Sequence, residues 1–202
     1  MKSARRTRAW DSSGDVKTRR DAIVRSLNEV LRKRSLPALR MQDIASQLGL
    51  VKGNLYYYFK DKEDLIYHAH IKCVRTSLEA LERARAAQGS PATRLRVLLV
   101  EHILAMTEGP YGAVLLHDID TLTPARRRRY VGLRDQFERG VRELIEAGAA
   151  RGEFPAQDAR TAGFAILGAI NWIPKWFRAD GELSGQVIAE RFADMFMAAL
   201  RA

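Results

Sequence analysis

Apolar residues recur along this 202-residue chain at steps of three and four, and no stretch shows the strict alternation that a half-buried strand requires. From about Val16 to Arg34, Ile23, Leu27, Val30 and Leu31 mark one face of a helix, which Pro37 in "SLPAL" breaks. A short helix follows from Met41 to Leu48, then a turn at "GLV", then a second short helix from about Lys52 to Phe59. "KDKEDL" opens a long helix to about Ala87; Asp61 suits its N-cap, and Glu63 and Asp64 suit the positive end of its dipole. After "QGSPATR", helices are expected over Pro91–Thr107 and Tyr111–Asp118. Another is capped by Thr123, has Pro124 at its first position and ends near Gly152. The last two run over about Asp158–Phe177 and Leu183–Leu200, and Pro174 is expected to kink or end the first of them. The fold class is therefore all-α, with about nine helices.

Charge divides the chain. Residues 1–62 hold 15 Lys and Arg against 6 Asp and Glu, a net +9 of the total +10, and the remainder is close to neutral. A basic module beside a neutral one points to a polyanion as partner of the first. Residues 1–14 form a basic arm ending near Gly14. One cysteine, Cys73, excludes an internal disulfide and fits a reducing compartment. Residues 1–20 lack the apolar segment of a secretory signal, and the longest apolar stretch, Ala162 to Phe177, is too short to span a bilayer. A cytoplasmic protein with no membrane partner is expected.

The two short helices around Gly49 have the plan of a helix-turn-helix. Ala45 is small enough for a close crossing, Gly49 can adopt the left-handed conformation that ends the first helix, and Ile44, Leu48, Leu50 and Leu55 can close a small core. Lys52, Asn54, Tyr57 and Tyr58 then face outward, on a helix of the kind that enters a major groove. Three consecutive tyrosines, Tyr56, Tyr57 and Tyr58, cannot share one face. On this reading Tyr56 and Tyr58 reach the nucleic-acid backbone, Tyr57 lies near the bases and Phe59 turns into the core.

The stretch "MQDIASQLGLVKGNLYYYFKDKEDLI" resembles the DNA-binding signature of the TetR (tetracycline repressor) family, over roughly residues 16–68. The resemblance implies an N-terminal three-helix helix-turn-helix domain (residues 15–62) and a C-terminal helical ligand-binding and dimerisation domain (residues 63–202). It implies DNA contacts by Gln42, Lys52, Gly53, Asn54, Tyr56, Tyr57, Tyr58 and Lys62; Arg40, which departs from the family pattern, is a further candidate because it can grip a phosphate itself. Arg40 and Val51 stand where the family carries capping hydroxyls, a loss of ~1 kcal/mol each. The resemblance also implies a homodimer on a palindromic operator, with recognition helices ~34 Å apart.

In such a dimer the last two helices supply the contact, and Ile170, Trp176, Phe192, Met195, Phe196 and Ala199 are the candidates. "NWIPKWFRADGELS" resembles the C-terminal domains of regulators of lipid and aromatic degradation, many of which respond to acyl-CoA thioesters. Met106, Leu115, His117, Phe137, Phe164, Leu167, Asn171, Trp172 and Lys175 are the candidate effector contacts, and Lys175, Arg178 or the run Arg126 to Arg129 could meet phosphates. His102 and His117 are possible polar anchors. No nucleophile elbow, phosphate loop or His-Glu-x-x-His is present, and the pair His70 and Cys73 is too small a set for zinc. No enzyme, cofactor or metal is expected. The function implied is a ligand-responsive repressor; the alternative is a structural, nucleoid-associated DNA-binding protein without an effector.

Overall fold

The computed structural model describes residues 16–33, 40–109, 119–155 and 158–202. Among these residues there are eight α-helices and no strand: α1 (Val16–Lys33), α2 (Met41–Gln47), α3 (Lys52–Tyr58), α4 (Lys62–Ala86), α5 (Pro91–Thr107), α6 (Pro124–Ala150), α7 (Ala159–Trp176) and α8 (Gly185–Arg201). A turn of 3₁₀ helix, Ile119–Thr121, precedes α6. The basic arm, the break at Pro37 and the expected helix at Tyr111–Asp118, with Leu115 and His117, lie outside the described residues.

Local chemistry fixes most helix ends. Asp61, Ser90, Asp158 and Ser184 each accept a hydrogen bond from a backbone N–H of the first turn they precede. Gly49 and Gly152 take positive φ, +68° and +73°, and close α2 and α6 in the same way. In α2, Leu50 N donates to Ala45 O and Gly49 N to Ser46 O; in α6, Glu153 N donates to Gly148 O and Gly152 N to Ala149 O. Those paired bonds satisfy carbonyls that a helix end leaves bare, and they need the left-handed residue that glycine supplies.

Two expectations are corrected. Thr123 stands at the N-cap of α6, but its side chain makes no capping bond; its N–H instead donates to Glu63 Oε1 at 2.8 Å, tying the start of α6 to α4. Pro174 does not end α7, which continues to Trp176. The proline falls in the last turn, where little of the hydrogen-bond ladder remains to be broken, and buried Ile173 and Phe177 hold that turn on the core.

α1 packs on α2 and on α4, α2 packs on α3, and Phe59 just beyond α3 meets His68 of α4. α5 is the central element of the rest, contacting α4, α6, α7 and α8. One continuous apolar core runs from Ile23 and Ile44 through Leu65, Leu81, Leu98 and Ile145 to Leu200. Where α4 and α6 meet, the Leu81 side chain packs directly on the α6 backbone at Gly140, and an added Cβ would lie 2.2 Å from Leu81 Cδ2. Leu81 is itself buried and has nowhere to retreat. Gly140→Ala is therefore expected to lower unfolding stability by about 1–3 kcal/mol in urea titrations, although alanine is the better helix former. An unchanged midpoint would show that this crossing tolerates a methyl group.

Candidate nucleic-acid interface and effector cavity

Recognition surface. Leu55 and Phe59 are fully buried, and they turn the opposite side of α3 outward. Gly53, Asn54, Tyr56 and Tyr57 are exposed, Tyr57 to 73%. Space for a Cβ at Gly53 is open, so the helix can lie close against another surface there. Lys52 opens α3, but its side chain lies outside the description. Tyr58 is half-buried, packed edge-on to Tyr57 with ring centroids 5.0 Å apart. Its hydroxyl accepts from Arg19 Nη1 at 3.1 Å, which leaves its own O–H proton to donate elsewhere.

Arg40 is exposed at the N-cap of α2, and Gln42 is exposed one residue into that helix. A guanidinium has no acceptor with which to cap, so only half of a capping box forms: Arg40 N donates to Asp43 Oδ2 at 2.9 Å. Lys62 is the half-buried first residue of α4. Arg19 and Arg20 of α1 were not singled out in the sequence. Both belong to the basic surplus of the first third, but nothing in a single sequence shows that they reach back 38 or 39 positions to Tyr58.

The junction. Asp64, buried near the start of α4, receives Lys60 N at 3.1 Å, a guanidinium hydrogen bond from Arg126 of α6 and the charge of Arg20 of α1 at 3.6 Å. Arg20 also donates to Tyr58 O at 2.8 Å, and Arg126 also pairs with Glu63 at 3.2 Å and lies over the Tyr67 ring. Arg126 is thus a bridge between α6 and α4, and Arg127 pairs with Asp120. Neither faces the cavity described next.

The cavity. Between α4, α5, α6 and α7 lies a cavity of about 700 Å³. Cys73 and Val74 from α4, His102 and Met106 from α5, Phe137 from α6 and Leu167 from α7 form its interior. Arg134, Arg139 and Arg160, all exposed, and half-exposed Arg142 line its outer part together with exposed Asp135, and half-buried Glu138 is also in the wall. Cationic groups thus outnumber anionic ones there. Arg134 lies over the Tyr130 ring and Arg160 over the Phe164 ring, so charge and aromatic wall are joined. Of the candidates named from sequence, Met106, Phe137, Phe164, Leu167 and Asn171 line the cavity. Trp172 and Lys175 do not: both are exposed, Trp172 to 62% and turned away from the wall, Lys175 one helical turn beyond Asn171. The Arg126 to Arg129 run and Arg178 are likewise absent from the wall.

Burial sets the protonation of the interior. It pushes the Cys73 thiol up to about 12, against a small opposing effect of Arg134, so this cysteine is a neutral, inert wall group. It holds the His102 imidazole down at about 4, neutral at physiological pH. Among the described residues no cluster of His, Cys, Asp or Glu could hold a metal ion, and no helix is long and apolar enough to cross a membrane.

Of the residues expected at a dimer face, Trp176, Met195 and Ala199 are exposed and Phe192 is half-buried, with Trp176 stacked on Phe192 at 6.1 Å. Ile170 and Phe196 are enclosed in the protomer's own core, because they turn toward it from α7 and α8, and they offer little or no surface to a partner. Trp172 joins the exposed set instead.

A small basic helix-turn-helix with a presented second helix, joined to a larger helical body enclosing a cavity, defines the class of DNA-binding transcriptional regulators with a separate C-terminal domain. Residues 23–69 match the family profile described as "Bacterial regulatory proteins, tetR family", and residues 88–200 match "Tetracyclin repressor-like, C-terminal domain". The chain belongs to the TetR family of transcriptional regulators and is a transcription factor, not an enzyme. It is similar to the HTH-type transcriptional repressor KstR2 of Rhodococcus jostii, 23% identical over 193 residues and 94% of each chain. Among solved structures it is similar to the TetR family regulator PfmR from Thermus thermophilus, with TM-score 0.80, 29% identity, and 87% of this chain and 97% of that one covered. It is also similar to AibR in complex with isovaleryl coenzyme A and operator DNA, with TM-score 0.76, 27% identity, and 91% and 98% covered.

The depressed His102 value gives a pH dependence of stability with a definite sign. The unfolded chain takes up a proton near 6.5, the folded chain only near 4, so stability falls as pH drops through that interval. The loss amounts to about 3 kcal/mol at most. His102→Leu is expected to lack this component. Urea midpoints of both proteins at pH 7 and pH 4 test it, and parallel losses in the two would exclude a buried neutral imidazole at this position.

Proposed function

We propose that this chain is a ligand-responsive repressor that grips a palindromic operator as a homodimer in the cytoplasm and is released by an acyl-CoA thioester. The observation that carries the reading is the cavity itself, which combines an apolar interior with four guanidinium groups around its outer part. That polarity matches a ligand with a hydrocarbon end and a phosphorylated head. The similarity to AibR, seen with isovaleryl coenzyme A and operator DNA, supports the same chemistry. A structural DNA-binding protein without an effector would have no use for such an opening in its C-terminal core.

In this reading the basic arm (1–14) and the helix-turn-helix domain (15–62) bind DNA, and residues 63–202 bind effector and partner. Lys52, Gly53, Asn54 and Tyr57 face base edges. Arg40, Tyr56, Tyr58 and Lys62 hold phosphates, and Gln42 touches the edge of the site. Tyr58 donates its O–H proton to a phosphate while Arg19 holds the oxygen from behind. The exposed rings and methionine on α7 and α8, Trp172, Trp176 and Met195, meet their counterparts across a two-fold axis. Ligand in the cavity shifts α6 and, through Arg126, the start of α4, and so changes the separation of the two recognition helices.

Binding to the DNA upstream of the chain's own coding region, with and without medium- and long-chain acyl-CoA, tests the whole reading. Release by one acyl-CoA length is expected. Indifference to every length removes the thioester and leaves the repressor. Lys62→Ala should weaken binding to all duplexes and lower the salt slope by about 1, whereas Asn54→Ala should narrow the gap between operator and random DNA. The opposite assignment of effects would reverse the two roles. Trp172→Glu with Met195→Arg should yield a folded monomer by sedimentation; a persisting dimer would place the interface elsewhere.

A further inference from the structure

We infer that the cavity selects a ligand whose buried end carries a hydroxyl group, read by His102. This rests on the reading that the cavity takes an effector, and it adds the chemistry of the end that enters first. His102 lies on α5, only 4% exposed, and is part of the cavity wall. Neither of its ring nitrogens has a hydrogen-bond partner among the described residues. Its ring rests against Phe137, with centroids 4.6 Å apart, so packing explains where the ring sits but leaves both nitrogens unsatisfied. A core that needed only volume here would be better served by Phe or Leu, because an enclosed polar group without a partner is costly.

Neighbouring polar groups do not fill the gap. Ser77 donates its hydroxyl to Cys73 O at 3.3 Å, and Thr107 donates to Ile103 O at 3.0 Å. A second wall atom, Glu138 Oε1, is enclosed and also lacks a partner. A neutral imidazole offers one donor and one acceptor, and a carboxylate oxygen accepts only. An alkyl end would satisfy none of these atoms, and a carbonyl would serve only the imidazole N–H. A hydroxyl both donates and accepts, so it fits His102 in either tautomer.

Direction follows from charge. Arg134, Arg139 and Arg160 are exposed and His102 is not, so an anionic head stays outside and the far end of the molecule arrives at the histidine. The rest of the interior, Cys73, Val74, Met106, Phe137 and Leu167, asks for hydrocarbon between the two.

The decisive probes carry no head group. 1-Octanol and 1-chlorooctane have the same length and similar end volume, but only the alcohol forms strong hydrogen bonds. Their dissociation constants are measured on the full chain and on His102→Phe and His102→Gln. The ratio of alcohol to chloroalkane affinity is expected to fall about ten-fold in the phenylalanine variant and to recover in the glutamine variant. Octanol, but not chlorooctane, should also shift the His102 ring nitrogen resonances of the wild-type protein, a readout that does not depend on any variant folding. An unchanged ratio across the three proteins, unmoved resonances, or no binding of octanol at all overturns the inference. Octanoyl-CoA and 8-hydroxyoctanoyl-CoA are then compared. If both are ignored while the headless pair still depends on His102, the thioester reading fails and the hydroxyl site stands.

Discussion

One buried carboxylate holds the two halves of this protein in register. Asp64 is enclosed at the start of α4, where it takes Lys60 N from just beyond the recognition helix, the charge of Arg20 from α1 and the guanidinium of Arg126 from α6. A carboxylate so placed is tolerated only while its partners stay in place, because an uncompensated buried charge is far more costly than any one of these bonds is favourable. The arrangement therefore resists independent drift of α1, α3 and α6. Arg20 strengthens it by also holding Tyr58 O at the end of α3. The orientation of the recognition surface relative to the C-terminal body is in this sense an electrostatic quantity as much as a packing one.

The cavity depends on the same helix from the other side. Arg126 belongs to the first turn of α6, while Arg134, Phe137, Glu138 and Arg142 of the same helix form part of the cavity wall. From Arg126 to Arg142 is about 24 Å of continuous α-helix. Gly140 presses this helix onto Leu81 of α4, so α6 is confined near its middle and tied at its start. The cavity wall and the ion pair to Asp64 are thus built on one continuous helix, and packed helices shift as rigid pieces more readily than they bend.

Much of the fold was legible in the sequence because its signals are local. Helix spans follow from spacing of apolar residues. Asp61 announces the start of α4, and Gly49 and Gly152 the stops of α2 and α6; the caps at Ser90, Asp158 and Ser184 emerged only from the structure. The burial of Leu55 and Phe59 and the exposure of Tyr56 and Tyr57 follow from the turn alone. What was not legible is long-range. Arg126 was read as one of four arginines available to phosphates, whereas its partners Glu63 and Asp64 lie some 60 positions away. Trp172 and Lys175 were placed toward the ligand because they share a segment with Asn171; helical rotation turns Trp172 out, whereas Lys175, on the same face as Asn171, lies one turn further along α7, past the last residue of the wall. Ile170 is as apolar as its neighbours on α7, and apolarity by itself does not distinguish a residue facing its own core from one facing a second copy.

His102 shows the limit most clearly. In a sequence it is one of four histidines, and a packed or surface position is the ordinary expectation for any of them. Packing accounts for its burial and for its depressed basicity, and Phe137 covers its ring. Packing does not account for two nitrogens held inside a cavity wall with nothing in the described protein to bond them. Fold stability would favour an apolar ring at this position, so stability alone gives no reason for an imidazole. The remaining physical reason for a polar ring in an apolar wall is that its partner arrives from outside the chain. On that inference the polar contact of the cavity sits on α5, the helix that packs against α4, α6, α7 and α8.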